Sequence, residues 1–81
     1  MKVRFAEPFS RAYTKLSHQT KQNFEKQLKF LIRNLRHPSL HAKKYNEAND
    51  VWQARVDSKY RFYFQILGET YLILNIFKHP E

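Results

Sequence analysis

The stretch DVWQARVDSKYRFYFQI, residues 50–66, decides how this sequence folds. Apolar and polar residues alternate along it, which is typical of β-strands with one buried face. The apolar side of the pattern consists of Trp52, Ala54, Val56, Phe62 and Phe64. The pattern is interrupted by a turn near Ser58-Lys59. The segment therefore predicts two antiparallel strands, with Arg55 and Arg61 on the side away from the core.

Two helices are predicted before this segment. Pro8 suits the first turn of a helix over about residues 8–16, where its missing N–H is not needed. Ser17 can cap a second helix. The apolar stripe of that helix is Phe24, Leu28, Leu31 and Leu35. His37-Pro38 is predicted to close it, because a residue before proline is pushed out of the helical region. Residues 39–49 have no clear period and are predicted to be a loop.

Two more strands complete the prediction. Residues 2–7 alternate as a first strand, and residues 71–77 form the last one after a hairpin turn at Gly68, the only glycine. A two-residue turn would pair Phe64 with Ile73, whereas a three-residue turn pairs Phe64 with Leu74. We predict the longer turn, because it places Leu72, Leu74 and Ile76 in the core. The predicted order is β-α-α-β-β-β, an α+β fold in which an antiparallel helical hairpin covers one face of an antiparallel sheet.

Composition and length limit the class of protein. The 81 residues suffice for one domain, residues 1–81, and the 42% hydrophobic content argues against a disordered chain. No cysteine is present, which excludes disulfides and fits a reducing compartment. Neither a signal peptide nor an apolar run of about 18 residues is found. We therefore expect a soluble, cytoplasmic protein with no membrane partner.

The positive charge is concentrated in the first half of the chain. Residues 1–49 hold eleven Lys and Arg against three Asp and Glu, which accounts for the whole net charge of +8. Residues 50–81 hold four of each. A field of this kind attracts nucleic acid, an anionic membrane or an acidic protein, although a basic helix surface can also serve solubility alone.

The predicted sheet leaves one face uncovered by helices. That face carries Gln53, Arg55, Arg61, Tyr63, Gln65, Asn75 and, after the last strand, His79. A solvated antiparallel sheet commonly shows polar residues to water. Guanidinium groups also bind phosphate, and aromatic rings stack on unpaired bases. The residues alone therefore leave two interpretations open, which are RNA or anion binding and a plain solvated surface.

Several short motifs resemble the RelE/ParE toxin superfamily. They are W-Q-A-R-V at 52–56, Y-R-F-Y-F at 60–64, G-E-T at 68–70 and F-K-H at 77–79. The helical hairpin and the basic loop with Lys43-Lys44 also fall where the family has them. The resemblance covers nearly the whole chain and implies a bacterial or archaeal toxin of a type II toxin–antitoxin pair.

In the RelE-like branch, the resemblance implies a ribosome-dependent, metal-independent endoribonuclease that cuts mRNA in the A site and uses no cofactor. On this resemblance the catalytic residues are Arg55, Arg61 and His79. The residues implied to bind RNA are Lys43, Lys44, Gln53, Tyr63 and Lys78. The arginines would stabilise charge on the phosphoryl oxygens, and the imidazole would transfer a proton. The implied partners are the ribosome, mRNA and a cognate acidic antitoxin.

Two departures from this branch keep alternatives open. Gln53 stands where RelE-like members often carry a basic residue. The sequence ends at Glu81, before the C-terminal Tyr or Phe with which many active members stack a base, so that Tyr63 and Tyr45 are candidate substitutes. ParE-like members share the fold, lack the nuclease residues and poison DNA gyrase. A gyrase inhibitor is therefore the alternative, followed by an inactive binding module.

A metal site is not predicted. His37 and His41 have the i, i+4 spacing of a helical metal pair. Pro38 lies between them and argues against a helix there. We therefore expect neither a metal ion nor a small-molecule cofactor.

Overall fold

In the computed structural model, which describes residues 1–80, two helices pack on one face of a five-stranded sheet. The strands are β1 (Lys2–Phe5), β2 (Lys43–Asn46), β3 (Val51–Arg55), β4 (Tyr60–Leu67) and β5 (Thr70–Lys78). The helices are α1 (Glu7–Thr14) and α2 (His18–Arg33), followed by a 3-10 turn at Pro38–Leu40. The α+β class predicted from the sequence is confirmed. Neither α1 nor α2 is long and apolar enough to cross a membrane.

The strand order is β1-β5-β4-β3-β2, and both edges of the sheet differ from the prediction. At one edge β1 lies parallel to β5, from which it is separated along the chain by both helices and the other three strands. At the other edge, part of the predicted loop forms β2 and pairs antiparallel with β3. No pattern in the sequence indicated β2, because Lys43 and Tyr45 are exposed and a short edge strand needs no apolar alternation.

The β4–β5 hairpin also differs from the prediction. Leu67 pairs with Thr70 across a two-residue turn, in which Gly68 has a φ of +60°. Phe64 therefore pairs with Ile73, not with Leu74 as predicted. The core alternation survives because a β-bulge makes Leu74 the extra residue on β5. The buried residues of β5 are Tyr71, Ile73 and Ile76, so that the assignment of Leu72 and Leu74 to the core is wrong.

Local side-chain chemistry sets both ends of α2. The Ser17 hydroxyl oxygen accepts a hydrogen bond from the Thr20 N–H at 3.1 Å, which confirms the predicted cap. The helix ends at Arg33, four residues before the predicted stop. Asn34 leaves the helical region, and its side-chain oxygen accepts from the Arg36 N–H at 2.9 Å. This turn competes with the helix before His37 is reached.

Aromatic rings connect the helices to the sheet. Phe24 of α2 lies 5.0 Å from Phe9 of α1 and 5.2 Å from Phe62 of β4, measured between ring centroids. Phe62 and Phe64 are fully buried, and Trp52 stacks on Phe64 at 6.1 Å. Trp52 therefore faces the core as predicted, although it is only partly buried.

One buried polar side chain joins three elements. Gln27 of α2 is 5% exposed, and its amide N–H groups donate to the Ser39 carbonyl at 3.0 Å and the Arg55 carbonyl at 2.8 Å. Its Oε1 accepts from the Ser39 hydroxyl at 2.9 Å. Gln27 thus fixes the position of the 3-10 turn and of the end of β3 relative to α2.

We expect Gln27→Ala to lower the free energy of unfolding by about 2–3 kcal/mol, because it leaves buried carbonyls without donors. Gln22→Ala is the matched control, since Gln22 is an exposed glutamine on the same helix. The control should stay within about 0.5 kcal/mol of the parent protein in urea denaturation. Equal effects of the two changes would contradict a bridging role for Gln27.

Candidate functional site

A polar cleft of about 200 Å³ opens on the uncovered face of the sheet, near the end of β3. It is lined by His41, Lys43, Gln53, Ala54, Arg55, Arg61 and His79. Strand pairing explains this grouping, since Lys43 is opposite Gln53 and Arg55 is opposite Arg61. The cleft therefore brings together five of the eight predicted site residues, including all three predicted catalytic ones.

Arg55 is the unusual member of the cleft. Its Nε atom is buried and has no hydrogen-bond partner among residues 1–80. In that range no carboxylate forms a salt bridge with its guanidinium. A buried donor of this kind costs free energy unless a partner is bound, and a guanidinium selects anions such as phosphate. Arg55 therefore provides a ready anion-binding group.

Arg61 is held rigidly, in contrast to Arg55. Its Nη1 donates to the carbonyl oxygens of Asp57 at 2.6 Å and Tyr60 at 2.9 Å. The first acceptor belongs to the turn that joins β3 to β4, and the second is the first residue of β4. These bonds fix one edge of the guanidinium, and its remaining N–H groups can point into the cleft.

The Asp57 carboxylate shapes the turn that holds Arg61. Its Oδ1 accepts from the backbone N–H groups of Lys59 and Tyr60 at 2.8 and 2.9 Å, and its Oδ2 accepts from Asn23 Nδ2 at 3.0 Å. Burial alone would raise the pKa of Asp57. The hydrogen bonds and the nearby Arg61 charge outweigh burial and lower this pKa below its usual value.

His79 reaches the cleft from the end of β5. Its backbone N–H donates to the Lys59 carbonyl at 2.6 Å, which ties the end of β5 to the turn between β3 and β4. The residue is exposed, so that its imidazole is accessible to a substrate in the cleft. An imidazole, a group that can transfer protons, therefore lines the same cleft as the two arginines.

His41 is a cleft residue that the sequence interpretation missed. It directly follows the 3-10 turn in the left-handed region, with a φ of 46°, and lines the polar cleft. It also lines a second cleft beside α2, together with Arg55 and Asp57. Its position two residues before Lys43 is the one feature of the sequence that could have suggested a place beside the cleft. The strand that brings it there, β2, has no alternation of apolar residues by which it could be predicted. His41 is a second candidate for proton transfer.

His37 has a structural role instead. Its ring stacks on Phe30 with centroids 3.8 Å apart, and its Nδ1 accepts from the Ser39 N–H at 3.2 Å. The stacking holds His37 against α2, and the hydrogen bond caps the 3-10 turn. Within residues 1–80 no three His, Cys, Asp or Glu side chains are grouped as metal ligands would be.

The structure separates Lys44 from the other predicted RNA-binding residues. Lys44 is opposite Trp52, on the helix side of the sheet, and its Nζ lies 5.4 Å from the centroid of that ring. The same Nζ lies 2.9 Å from Asp50 and 3.8 Å from Glu47. The hydrogen bond to Asp50 is the main cause that raises the pKa of Lys44. Lys44 is therefore paired with protein carboxylates and does not line the cleft.

Tyr63 and Lys78 lie outside the cleft. Tyr63 is opposite Gln53 on β3 and therefore shares the uncovered face with it. Lys78 lines a shallow depression with Lys59, His79 and Pro80. Of these two residues, Tyr63 lies next to a cleft residue on the same face, whereas Lys78 is opposite Tyr60 on β4 and shares only its neighbour His79 with the cleft.

Several solved toxin structures resemble this fold. A YoeB/ParE toxin from Agrobacterium tumefaciens matches with a TM-score of 0.82 at 12% identity, covering 99% of this chain and 100% of that one. The isolated RelE toxin of E. coli matches with a TM-score of 0.77 at 17% identity, covering 99% of this chain and 85% of that one. A chain of the archaeal RelE–RelB complex from Pyrococcus horikoshii OT3 matches with a TM-score of 0.79 at 16% identity, covering 95% of this chain and 92% of that one. At such low identity, these matches establish the fold alone: a RelE/ParE-type fold.

The family model for the ParE toxin of type II toxin–antitoxin systems, parDE, matches residues 3–81. This chain therefore belongs to that family, within the RelE/ParE toxin superfamily, and is a toxin of a type II toxin–antitoxin system. The resemblance noted in the sequence motifs is confirmed. No curated protein matches the chain in sequence.

We expect Asp57→Asn to lower the melting temperature at neutral pH, because it removes a carboxylate held by three hydrogen bonds. The folded-state pKa of Asp57 is lowered below the unfolded value of about 3.9. Its stabilisation is thus present above about pH 4 and is lost as the pH falls through the folded-state pKa. The difference between variant and parent, measured by thermal melts from pH 7 to pH 3, should therefore shrink at the acidic end.

Asp50→Asn is the control for this measurement. Asp50 is an exposed carboxylate that pairs with Lys44, and such surface pairs contribute little to stability. A melting difference for Asp57→Asn that is the same at every pH would contradict the lowered pKa.

Proposed function

We propose that this toxin is a ribosome-dependent endoribonuclease that cuts mRNA without a metal ion. The observation that carries the proposal is the Arg55 guanidinium, whose buried Nε has no hydrogen-bond partner among residues 1–80 and which lines one cleft with Arg61 and two histidines. A cleft that combines cationic donors with imidazoles suits phosphoryl transfer, in which negative charge and protons must both be handled. The RelE-like resemblance in the motifs adds mRNA on the ribosome as the substrate.

The proposed reaction is an internal transesterification. The ribose 2′-oxygen attacks the adjacent 3′-phosphorus in line, the bond to the 5′-oxygen breaks, and the products are a 2′,3′-cyclic phosphate and a 5′-hydroxyl. One imidazole takes the proton of the 2′-hydroxyl, and another donates a proton to the leaving 5′-oxygen. His41 and His79 lie in the cleft for these two roles.

The two arginines would act differently in this reaction. The Arg61 guanidinium is fixed by two carbonyl oxygens, so that it can hold a phosphate in one orientation. Arg55 gains partners only when an anion arrives, and it would stabilise the charge that builds on the phosphoryl oxygens. Lys43 and Gln53 extend the same cleft toward the flanking nucleotides.

Inhibition of DNA gyrase is the second candidate function. The family match to ParE toxins favours it, because the ParE-like members that the sequence resembles poison gyrase. A gyrase inhibitor has no need of an unpaired guanidinium beside two imidazoles in one cleft. The nuclease therefore accounts for more of the observed geometry.

Primer extension on a translated message distinguishes the two functions. After induction of the toxin, we expect cuts in mRNA only where ribosomes translate it, and none in an untranslated copy of the same message. Gyrase poisoning would instead produce double-strand DNA breaks with intact mRNA. That second outcome would overturn the nuclease proposal.

Arg55→Ala should abolish cleavage while the melting temperature stays unchanged or rises, since the change removes an unsatisfied buried donor. Arg61→Ala should also reduce cleavage by at least about 100-fold, on the scale of one lost transition-state donor. Arg11→Ala is the control, because Arg11 is an exposed arginine on α1, 3.9 Å from Glu7. Full cleavage by Arg55→Ala would remove Arg55 from the reaction.

We further propose an acidic antitoxin as the partner of this toxin. The toxin is basic, and related folds have been solved as complexes of RelE with RelB and of YoeB with YefM. Opposite charges speed the encounter of two proteins, and salt screens this effect. In stopped-flow experiments the association rate should fall at least several-fold between low and physiological salt. A rate that is indifferent to salt would contradict electrostatic steering by residues 1–49.

A further inference from the structure

The turn between β3 and β4, residues 56–59, supports two cleft residues at once. Its Asp57 carbonyl accepts a hydrogen bond from Arg61 Nη1 at 2.6 Å. Its Lys59 carbonyl accepts from the backbone N–H of His79, also at 2.6 Å. Arg61 belongs to β4, whereas His79 directly follows β5. The conformation of this one turn therefore decides where Arg61 and the end of β5 lie relative to each other.

A single carboxylate sets the conformation of the turn. Asp57 Oδ1 accepts from the backbone N–H groups of Lys59 and Tyr60 at 2.8 and 2.9 Å. Aspartate side chains close turns in this way, by bonding to the backbone about two residues ahead. Ser58 and Lys59 are exposed, so that core packing does not hold them in place. The turn thus depends on the Asp57 carboxylate for its shape.

The second oxygen of this carboxylate anchors the turn to α2. Asp57 Oδ2 accepts from Asn23 Nδ2 at 3.0 Å. The Asn23 amide is itself oriented, because its Oδ1 accepts from Gln19 Nε2 at 3.0 Å one helical turn earlier. One helical turn later, Gln27 donates to the Arg55 carbonyl at 2.8 Å. Helix α2 therefore holds the turn and the end of β3 in one fixed relation.

We propose that Asp57 is a positioning residue of the nuclease site, which holds Arg61 and the His79 backbone in the relative place that cleavage requires. Resting on the proposed nuclease function, this role adds a residue that acts through two others, since Asp57 is not among the residues that line the polar cleft. In-line attack is sensitive to such placement, because a shift of about 1 Å in a reacting or stabilising group can cost about 100-fold in rate.

Cleavage kinetics on purified ribosomes that carry a short message test this role. Asp57→Ala in the full-length toxin should lower kcat by about 10- to 100-fold, because the two groups lose their relative placement. KM should stay within about twofold of the parent value, because the side chains that line the cleft all remain.

Ser17→Ala is the control for lost stability. It removes the side-chain cap of α2 at the helix end that precedes Asn23, so that it also lowers the melting temperature. At a temperature where both variants are folded, Ser17→Ala should keep the kcat of the parent toxin. An equal loss of kcat in Ser17→Ala would reduce the Asp57 effect to stability and overturn the proposal.

Exchanging the two hydrogen-bonding partners separates positioning from chemistry. Asp57→Asn alone sets its amide against the Asn23 amide, two donors that face each other, and should give a kcat between those of the parent and Asp57→Ala. In the double variant Asn23→Asp/Asp57→Asn, the new carboxylate accepts from the new amide, whose oxygen still accepts from the turn. This double variant should recover most of kcat. If it stays as slow as Asp57→Ala, the carboxylate acts at position 57 by its charge and the positioning role is overturned.

Amide hydrogen exchange, followed by NMR, measures the coupling without cleavage. Asp57→Ala should speed exchange of the His79 N–H by about tenfold, although that group bonds to Lys59 and not to Asp57. The N–H of the buried residue Ile73 should keep its protection. Unchanged exchange at His79 would overturn the coupling.

Failure of this role and failure of the nuclease function can be told apart. If the parent toxin cuts the message and Asp57→Ala cuts it equally well, the positioning role fails and the proposed function stands. If the parent toxin cuts no message on any ribosome, both fail together.

Discussion

The buried amide of Gln27 is the contact on which the rest of this structure depends. It joins α2 to the backbone carbonyl of Arg55 and to the carbonyl and hydroxyl groups of Ser39, through hydrogen bonds of 2.8 to 3.0 Å. A helical hairpin can slide on a sheet when only apolar surfaces meet, whereas hydrogen bonds to fixed backbone groups select one position. Because Arg55 ends β3 and Ser39 lies two residues before His41, the same amide sets the fold and the cleft.

The cleft combines one satisfied guanidinium with one unsatisfied one. Arg55 and Arg61 are opposite each other on neighbouring strands, where two like charges repel. The backbone carbonyls of Asp57 and Tyr60 offset this repulsion for Arg61, and the Asp57 carboxylate adds negative charge nearby. Arg55 has no such compensation from residues 1–80, so that its cost to stability is retained until an anion binds. An uncompensated guanidinium is useful in a site that binds an anion. On a sheet surface that only contacts water, it would cost stability without a benefit.

Sequence patterns predicted the parts of the fold that depend on burial or on a local cap. The alternation around Trp52 and Phe64 gave the central hairpin and its core face, and Ser17 gave the start of α2. The edge strand β2 was missed because Lys43 and Lys44 are held by backbone pairing with β3, which leaves no trace in side-chain polarity. His41 was missed for the same reason, since its place beside the cleft follows from β2. Arg55 and Arg61 came together as predicted because strand register alone determines their common face.

The bulge at Leu74 connects the β4–β5 hairpin turn to the candidate site. A two-residue turn without the bulge would continue the inward alternation from Tyr71 and Ile73 to Asn75 and Phe77. The extra residue reverses the alternation, so that Ile76 is buried while Asn75 and Phe77 lie on the uncovered face. Phe77 thereby reaches Tyr63, and β5 delivers His79 to the cleft. A bulge leaves ladder groups unpaired and costs stability; here it lets one strand serve the core in its first half and the binding face in its second.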